Sequence, residues 1–268
     1  MIKIDKTEVF GWEAAIRGMR NPMNSWEKSD STFYDQWSGE AHDICGSTFP
    51  YDTDRISVDY EIGENDNELM TRLARQGSVH AKYRRMIHVQ ADITAPLYWW
   101  KEYDTYKVGT VANSCSTMHK IAEKEFTVDD FSHEHILSIK DVDFPDDIPL
   151  TGTPVTGNGT ANRMIGDDVM YFSPEGALHL TIDVLNACRE MYLKTNDKKY
   201  WWQMIQLLPS SYNQKRTKDL NYEVLAHMYR DRQHHKLDEW REFCKWIDGL
   251  PLSLDIIHPE DITLNGEA

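Results

Sequence analysis

The sequence predicts an α+β fold, and three observations predict it. Residues 1–11 and 88–93 alternate apolar and polar side chains, the period of a strand with one buried face. The stretch from Ser173 to Met191 instead repeats its apolar residues at helical spacing, through Leu178, Ile182, Leu185 and Met191. The chain has 268 residues, 40% of them hydrophobic, which is enough to bury one sizeable core.

In chain order, Ile2, Ile4, Val9 and Phe10 mark the first strand, and Trp12–Arg20 reads as a short helix inside an otherwise irregular stretch, 12–50. Asn67 to Gly77 reads as a helix with Leu69, Met70, Leu73 and Ala74 on its apolar face and Gly77 as its stop. The strand at 88–93 carries Val89, Ala91 and Ile93 on one side. Pro96 then opens an aromatic helix, Leu97–Tyr103, because proline is tolerated at a first helical position. Ser116–Lys124 reads as helical. Residues 125–172 read as a long insertion or lid, rich in Asp and Pro over 141–149 and in Thr and Gly over 151–160. Ser173-Pro174-Glu175 is a strong helix start. A further helix spans Lys199–Leu207 and stops at Pro209, and one long helical segment is expected over Asp219–Ile247, closed by Gly249 and Pro251.

Composition removes several function classes. A net charge of −15 repels polyanions, so nonspecific duplex binding is not expected. No apolar run reaches the roughly 18 residues of a membrane span, and the N-terminus lacks the apolar core of a secretory signal, so the expected location is the cytoplasm. Cys45, Cys115, Cys188 and Cys244 lie far apart, which suggests plain thiols rather than a zinc site or redox pair. His133 and His135 share a strand face but have no third ligand at recognisable spacing, so no metal is expected. The glycines of 151–160 match no phosphate loop.

One stretch carries most of the functional information, His80 to His119. A helix ending in Gly77 is followed by His80, an alternating strand, Ala95-Pro96, an aromatic helix and then Tyr106-Lys107-Val108 through Asn113-Ser114-Cys115-Ser116. Further on come Leu208-Pro209, Asn221-Tyr222-Glu223 and Arg232. In order and spacing this resembles the flavin-dependent thymidylate synthases, the ThyX family, over roughly 67–124 and 175–250. Their signature is Arg-His-Arg-x-x-Ser-x-Asn-Glu-x-Ser-x-Arg-Tyr. Asn113 and Ser116 match it. Counted back from Asn113, Tyr106, Lys107 and Val108 replace the basic triplet (counted forward from Ala95-Pro96, Thr105, Tyr106 and Lys107), so either way only Lys107 supplies a cation; Val111 replaces the first Ser, Ser114 the Glu, Met118 the last Arg and His119 the Tyr. Asn221 matches a later Asn-x-Arg, whereas Glu223 reverses the charge of its Arg.

The resemblance implies a single ThyX-like domain over 1–268, with a mostly antiparallel central sheet packed by long helices, assembled as a homotetramer with active sites at subunit interfaces. It implies a diverged, phage-type member that converts dUMP to dTMP with FAD, taking its carbon from methylenetetrahydrofolate and its electrons from NADPH. No protein nucleophile is implied, since the flavin drives the chemistry. Lys107, His80 and Asn221 would contact the cofactor. Arg232, Ser116 and Asn113 would contact the nucleotide, Arg232 because a planar guanidinium matches phosphate oxygens. Arg84 and Arg85 could add charge, and the polar loop of Ser25, Trp26 and Lys28–Ser31 lies near the family's first flavin-contacting segment.

Each of these residues also has a plainer role open to it. Arg232 could pair with Asp231, Asp238 or Glu239, Asn113 and Ser116 could cap the helix that follows, Asn221 could face solvent, and His80 could be a loop histidine. Tyr98, Trp99, Trp100 and Tyr103 are expected to pack between subunits. The substituted signature leaves a second function open, a non-catalytic binder of a nucleotide or a partner protein on the same fold.

Overall fold

A computed structural model describes residues 2–35, 37–52, 58–138, 141, 162–165, 168–171 and 173–259. Most of the expected lid, 139–161 with 166, 167 and 172, lies outside these apart from residue 141. The chain divides into two compact units, one gathering Ala95–Trp100 and Ser114–Gln214, the other Ile2–Thr94, Lys101–Asn113 and Lys215–Ala268.

The strands are β1 (Lys3–Phe10), β2 (Thr32–Asp35), β3 (Glu40–His42), β4 (Thr48–Pro50), β5 (Tyr60–Glu61), β6 (His88–Pro96), β7 (Thr110–Ser114), β8 (Asn162–Ile165), β9 (Asp168–Tyr171) and β10 (Asn213–Asn221). The helices are α1 (Trp12–Arg20), α2 (Glu64–Arg75), α3 (Leu97–Tyr103), α4 (Thr117–Lys120), α5 (Pro174–Thr195), α6 (Lys198–Leu207), α7 (Tyr222–Arg232), α8 (Asp238–Asp248) and α9 (Ser253–Ile256). One sheet has the order β1-β6-β10-β7, a second β4-β3-β2-β5, and β8-β9 form a hairpin. β1 runs antiparallel to β6, with Lys3 opposite Thr94, Phe10 opposite His88 and an irregularity between Asp5 and Glu8. β2, β3 and β4 arise in the stretch 12–50 that the sequence presented as irregular, and the β8-β9 hairpin in the expected insertion 125–172.

The first unit's core is the face of α5 that the sequence announced. Leu178, Ile182 and Leu185 pack with Ile121, Phe126, Phe131 and Met204, while Met191 lies outside this core and is exposed. Ser173 caps α5 by accepting from the Gly176 N–H at 3.0 Å. The helix expected over 116–124 shortens to α4, and beyond it Arg189 donates from Nε to Ala122 O at 3.0 Å and from Nη2 to Glu123 O at 3.4 Å. Trp99 and Trp100 are buried within this chain's own fold, which corrects the expectation that they pack between subunits.

In the second unit, Trp12, Ile16, Met70, Ile87, Leu225, Trp240 and Phe243 are buried. Gly11 precedes α1 at φ +95°, and a Cβ there would meet Met86 O at 2.1 Å, so only glycine lets helix and turn approach so closely. The segment expected as one helix over 219–247 is a strand and two helices. Lys218 and Leu220 alternate into a buried face of β10, and Asn221 ends the strand by capping α7, its Oδ1 accepting from the Val224 N–H at 3.0 Å. The break before α8 follows from His235, whose Nδ1 accepts from the Leu237 N–H at 3.2 Å.

A buried carboxylate ties the N-terminal loop to α2. Asp66, 0% exposed, accepts from Arg20 Nε at 2.6 Å on one oxygen. Its other oxygen accepts from Ser29 Oγ at 2.6 Å, Ser31 Oγ at 2.7 Å and the backbone N–H groups of Asp30 and Ser31, both at 3.2 Å. Asp30 in turn accepts from the backbone N–H groups of Asn65 and Asp66, closing the first turn of α2. Removing one partner of such a pair strands a charge in the interior, so Asp66→Ala should lower unfolding stability by about 3–5 kcal/mol, read from denaturant melts.

Lys218 offers a test in pH. Its side chain is 3% exposed with Nζ 4.5 Å above the Tyr103 ring, and burial pulls its ammonium down to about 8. An unfolded lysine keeps its proton to about 10.4, so between about pH 8 and 10 the unfolded chain binds a proton the native chain has lost, and stability from this group rises with pH. Lys218→Met should therefore stabilise the protein at pH 7, with an advantage that shrinks toward pH 10, as denaturation at the two pH values will show.

Candidate functional site

Two places in the second unit gather residues able to hold a ligand. The first lies around the turn 106–109, between α3 and β7. Gly109, at φ +77°, presses so closely on Asn221 that a Cβ would meet Asn221 Nδ2 at 2.7 Å, and its carbonyl accepts from the Asn221 backbone N–H at 3.2 Å. Tyr106 meets Arg232, which donates from Nε to the Tyr106 hydroxyl at 3.0 Å. Tyr106 and Gly109, on either side of the Lys107–Val108 pair, thus meet Arg232 and Asn221. Lys107 is exposed, as is Asn113 on β7, the strand at one edge of the β1-β6-β10-β7 sheet.

Arg232 is heavily engaged. Its Nη1 donates to Glu102 Oε2 at 2.7 Å, and its guanidinium carbon lies 4.7 Å from the Trp240 ring centre. Glu102 Oε2 also accepts from Trp240 Nε1 at 3.1 Å and lies 3.3 Å from His235 Nε2. Burial is the main influence raising the Tyr106 hydroxyl above its usual range, with Arg232 opposing it. The sequence pointed to Arg232 but gave the acid across from it no role. Glu102 sits in the aromatic run of α3, 130 residues before Arg232, and no spacing in the sequence links the two.

Asn221 spends its side-chain oxygen on the α7 cap. Ser116, in the other unit, caps α4: its Oγ accepts from the His119 N–H at 3.3 Å and lies 2.7 Å from His119 Nδ1. His119, where the ThyX signature has Tyr, is thus a partner of the signature serine.

The second place is a hollow of about 1100 Å³ lined by residues including Ser78, Arg84, His227, Arg230, Asp248 and His258. It draws its walls from the loop after α2, from α7 and from the chain after α8. His80 belongs to that loop, exposed, with its N–H donating to Gly77 O at 3.0 Å. Arg84 is 5% exposed, and its Nε has no hydrogen-bond partner among the described residues. Its Nη1 lies 3.6 Å from Glu223 Oε2, an ion pair too long to satisfy either group. His227 Nε2 lies 3.4 Å from Glu223 Oε1 and 3.3 Å from Ser78 Oγ. Because one nitrogen meets both partners, Ser78, His227 and Glu223 do not form a nucleophilic relay, which needs the two ring nitrogens on opposite partners.

On the far side His258 stacks on Tyr229, centroids 3.9 Å apart and 3° from parallel, with Nε2 2.8 Å from Asp248 Oδ1. Burial first, then Asp248, pushes the Tyr229 hydroxyl up to about 12. Among the described residues no group of three His, Cys, Asp or Glu could hold a metal, and no helix is long and apolar enough to cross a membrane.

The fold has counterparts among solved structures. Thymidylate synthase X (ThyX) from Helicobacter pylori, crystallised with FAD and dUMP, superposes with a TM-score of 0.56 over 97% of this chain and 98% of that one, at 14% identity. A second structure of the same enzyme, also with FAD and dUMP, gives 0.55 over 96% and 98%, again at 14%. The UMP/dUMP methylase PolB from Streptomyces cacaoi, bound with 5-Br UMP, gives 0.50 over 94% and 92%, at 13%. No protein-family model and no curated protein matches the sequence. The chain therefore has a ThyX-like α+β fold.

Arg232 and Glu102 should be coupled through this network. Glu102→Gln should weaken the hold on Arg232 and cost about 1–3 kcal/mol of stability. A double-mutant cycle with Arg232→Gln should return a coupling energy near that size, measured by denaturation.

Proposed function

We propose that the chain is a flavin-dependent protein of the thymidylate synthase type, which methylates dUMP to dTMP with methylenetetrahydrofolate and NADPH as co-substrates. The observation that carries this reading is the hollow beside Arg84, in a fold shared with ThyX. Its volume of about 1100 Å³ suits a large ligand. Its wall holds a buried guanidinium with an unused donor, Arg230 as a second cation, and Ser78 and His227 as further polar partners. That set fits a dinucleotide: anionic oxygens would satisfy Arg84, whose present partner Glu223 is too far away to do so.

When bound, FAD supplies the hydride chemistry. The chain's own residues bind and orient. Arg84 and Arg230 would hold the diphosphate, His80 stands by the hollow in the loop that forms part of its wall, and Lys107 and Asn221 are proposed as the remaining cofactor contacts. Arg232, Asn113 and Ser116 are proposed for the nucleotide. Arg232 would reach its phosphate while still held by Glu102, which orients the guanidinium at the expense of part of its charge. We place these contacts in a homotetramer of a diverged, phage-type enzyme working in the cytoplasm.

A second reading is favoured by Glu223 and Glu102. Each acid sits against one of the two arginines that an anion would need. On this reading the fold binds a nucleotide or a partner protein without catalysis.

Absorbance separates the two. The enzyme reading expects a yellow protein, or one that takes up added FAD, with dUMP-dependent oxidation of the reduced flavin; a protein that stays colourless with excess FAD leaves the binder. Arg84→Ala should weaken FAD binding by about tenfold or more, and Glu223→Gln should tighten it by freeing Arg84 for the diphosphate. Fluorescence titration with FAD measures both, and unchanged affinity in both variants would remove the hollow from the flavin site.

A further inference from the structure

A second hollow, of about 520 Å³, shares no lining residue with the first. One wall is a single face of α2, with Asn65, Glu68, Leu69 and Arg72 at helical spacing. The other comes from the end of α1 and the loop after it: Arg20, Met23, Ser25 and Lys28. Ser25 is 7% exposed, and its buried hydroxyl has no hydrogen-bond partner among the described residues. A native fold leaves few such groups unsatisfied, and one that lines a hollow points to an occupant.

The charges define the occupant. Arg20 donates from Nε to Asp66 and from Nη1 to Ser25 O at 3.1 Å; these bonds leave Nη2, and Asp66 balances its charge. Lys28 and Arg72 form no ion pair among the described residues, and Glu68 is the one acid lining the hollow. The wall thus carries a small net positive charge in a chain whose total is −15. Ser25 presents a hydroxyl donor, Arg72 a planar fork and Lys28 a point charge, the donor set that surrounds a phosphate group.

We propose that this hollow binds a phosphate monoester of sugar-phosphate size, its phosphate held by Ser25, Lys28 and Arg72. The volume leaves room for a pentose beside the phosphate. Glu68 limits the affinity by repulsion and selects against ligands with further anionic groups.

Calorimetry with ribose 5-phosphate on the full-length protein tests this, with inorganic phosphate as the weaker probe. One site is expected. Lys28→Ala with Arg72→Ala, two exposed positions whose change spares the core, should weaken binding by about tenfold or more. Ser25→Ala should weaken it severalfold, and Glu68→Gln should tighten it. FAD uptake should be the same in Arg72→Ala and Glu68→Gln, whose positions on α2 lie outside the loop that the resemblance sets near the flavin. Absence of binding by the wild type, or equal affinity in the double variant, overturns the proposal. A protein that ignores FAD yet binds ribose 5-phosphate with this mutational pattern keeps the proposal and sinks only the flavin reading.

Discussion

The second unit depends on the carboxylate of Asp66. A bare charge in the interior is costly, and five donors converge here to offset it: one guanidinium, two serine hydroxyls and two backbone N–H groups. Those donors come from the end of α1 and from the 29–31 loop, so one oxygen pair fixes the register of the N-terminal stretch against α2. The 520 Å³ hollow is a by-product of this anchor, because Arg20 is pinned between Asp66 and the Ser25 carbonyl. The same anchor holds the start of a helix whose other end leads into the loop of His80.

Charge compensation recurs around α7. Its Arg232 is matched by Glu102 and its Glu223 by Arg84, so a short helix presents a neutralised cation at one end and a neutralised anion at the other. The two pairs differ in quality. The Arg232–Glu102 bond is short and reinforced by Trp240, whereas the Arg84–Glu223 contact satisfies neither partner. A ligand gains more by approaching the ill-satisfied pair, since new hydrogen bonds there replace nothing of value.

Much of this architecture was legible in the sequence because it rests on local rules. β1, α1, α5 and α6 follow from alternation, helical periodicity and the Ser173-Pro174 start, and the Gly77 stop lies just past the end of α2. Over 213–247 the helical residues of α7 and α8 were legible, but the strand that precedes them and the break at 233–237 were not. The strand's charged residues suit a helix, and only tertiary burial of Lys218 and Leu220 made 213–221 a strand. The short strands of 32–61 carry too few residues each to show a period. At the site, resemblance singled out Arg232, Lys107, Asn221, Asn113, Ser116 and His80. It could not show Glu102 or the Arg84–Glu223 pair, because those partners are distant in sequence and meet only when the chain is folded.

Gly11 carries a consequence beyond its own turn. The carbonyl that occupies the space of its missing side chain belongs to Met86, two residues after Arg84. A larger residue at position 11 must push that carbonyl away and shift the short helical turn 82–86 with it. The position is not among the residues lining the hollow around Arg84, yet its tolerance to change is set by how far the turn that carries Arg84 can be displaced. In a mutational scan read by activity, Gly11 would score like a binding residue, and only a separate measure of folded protein would reveal that it acts as a spacer.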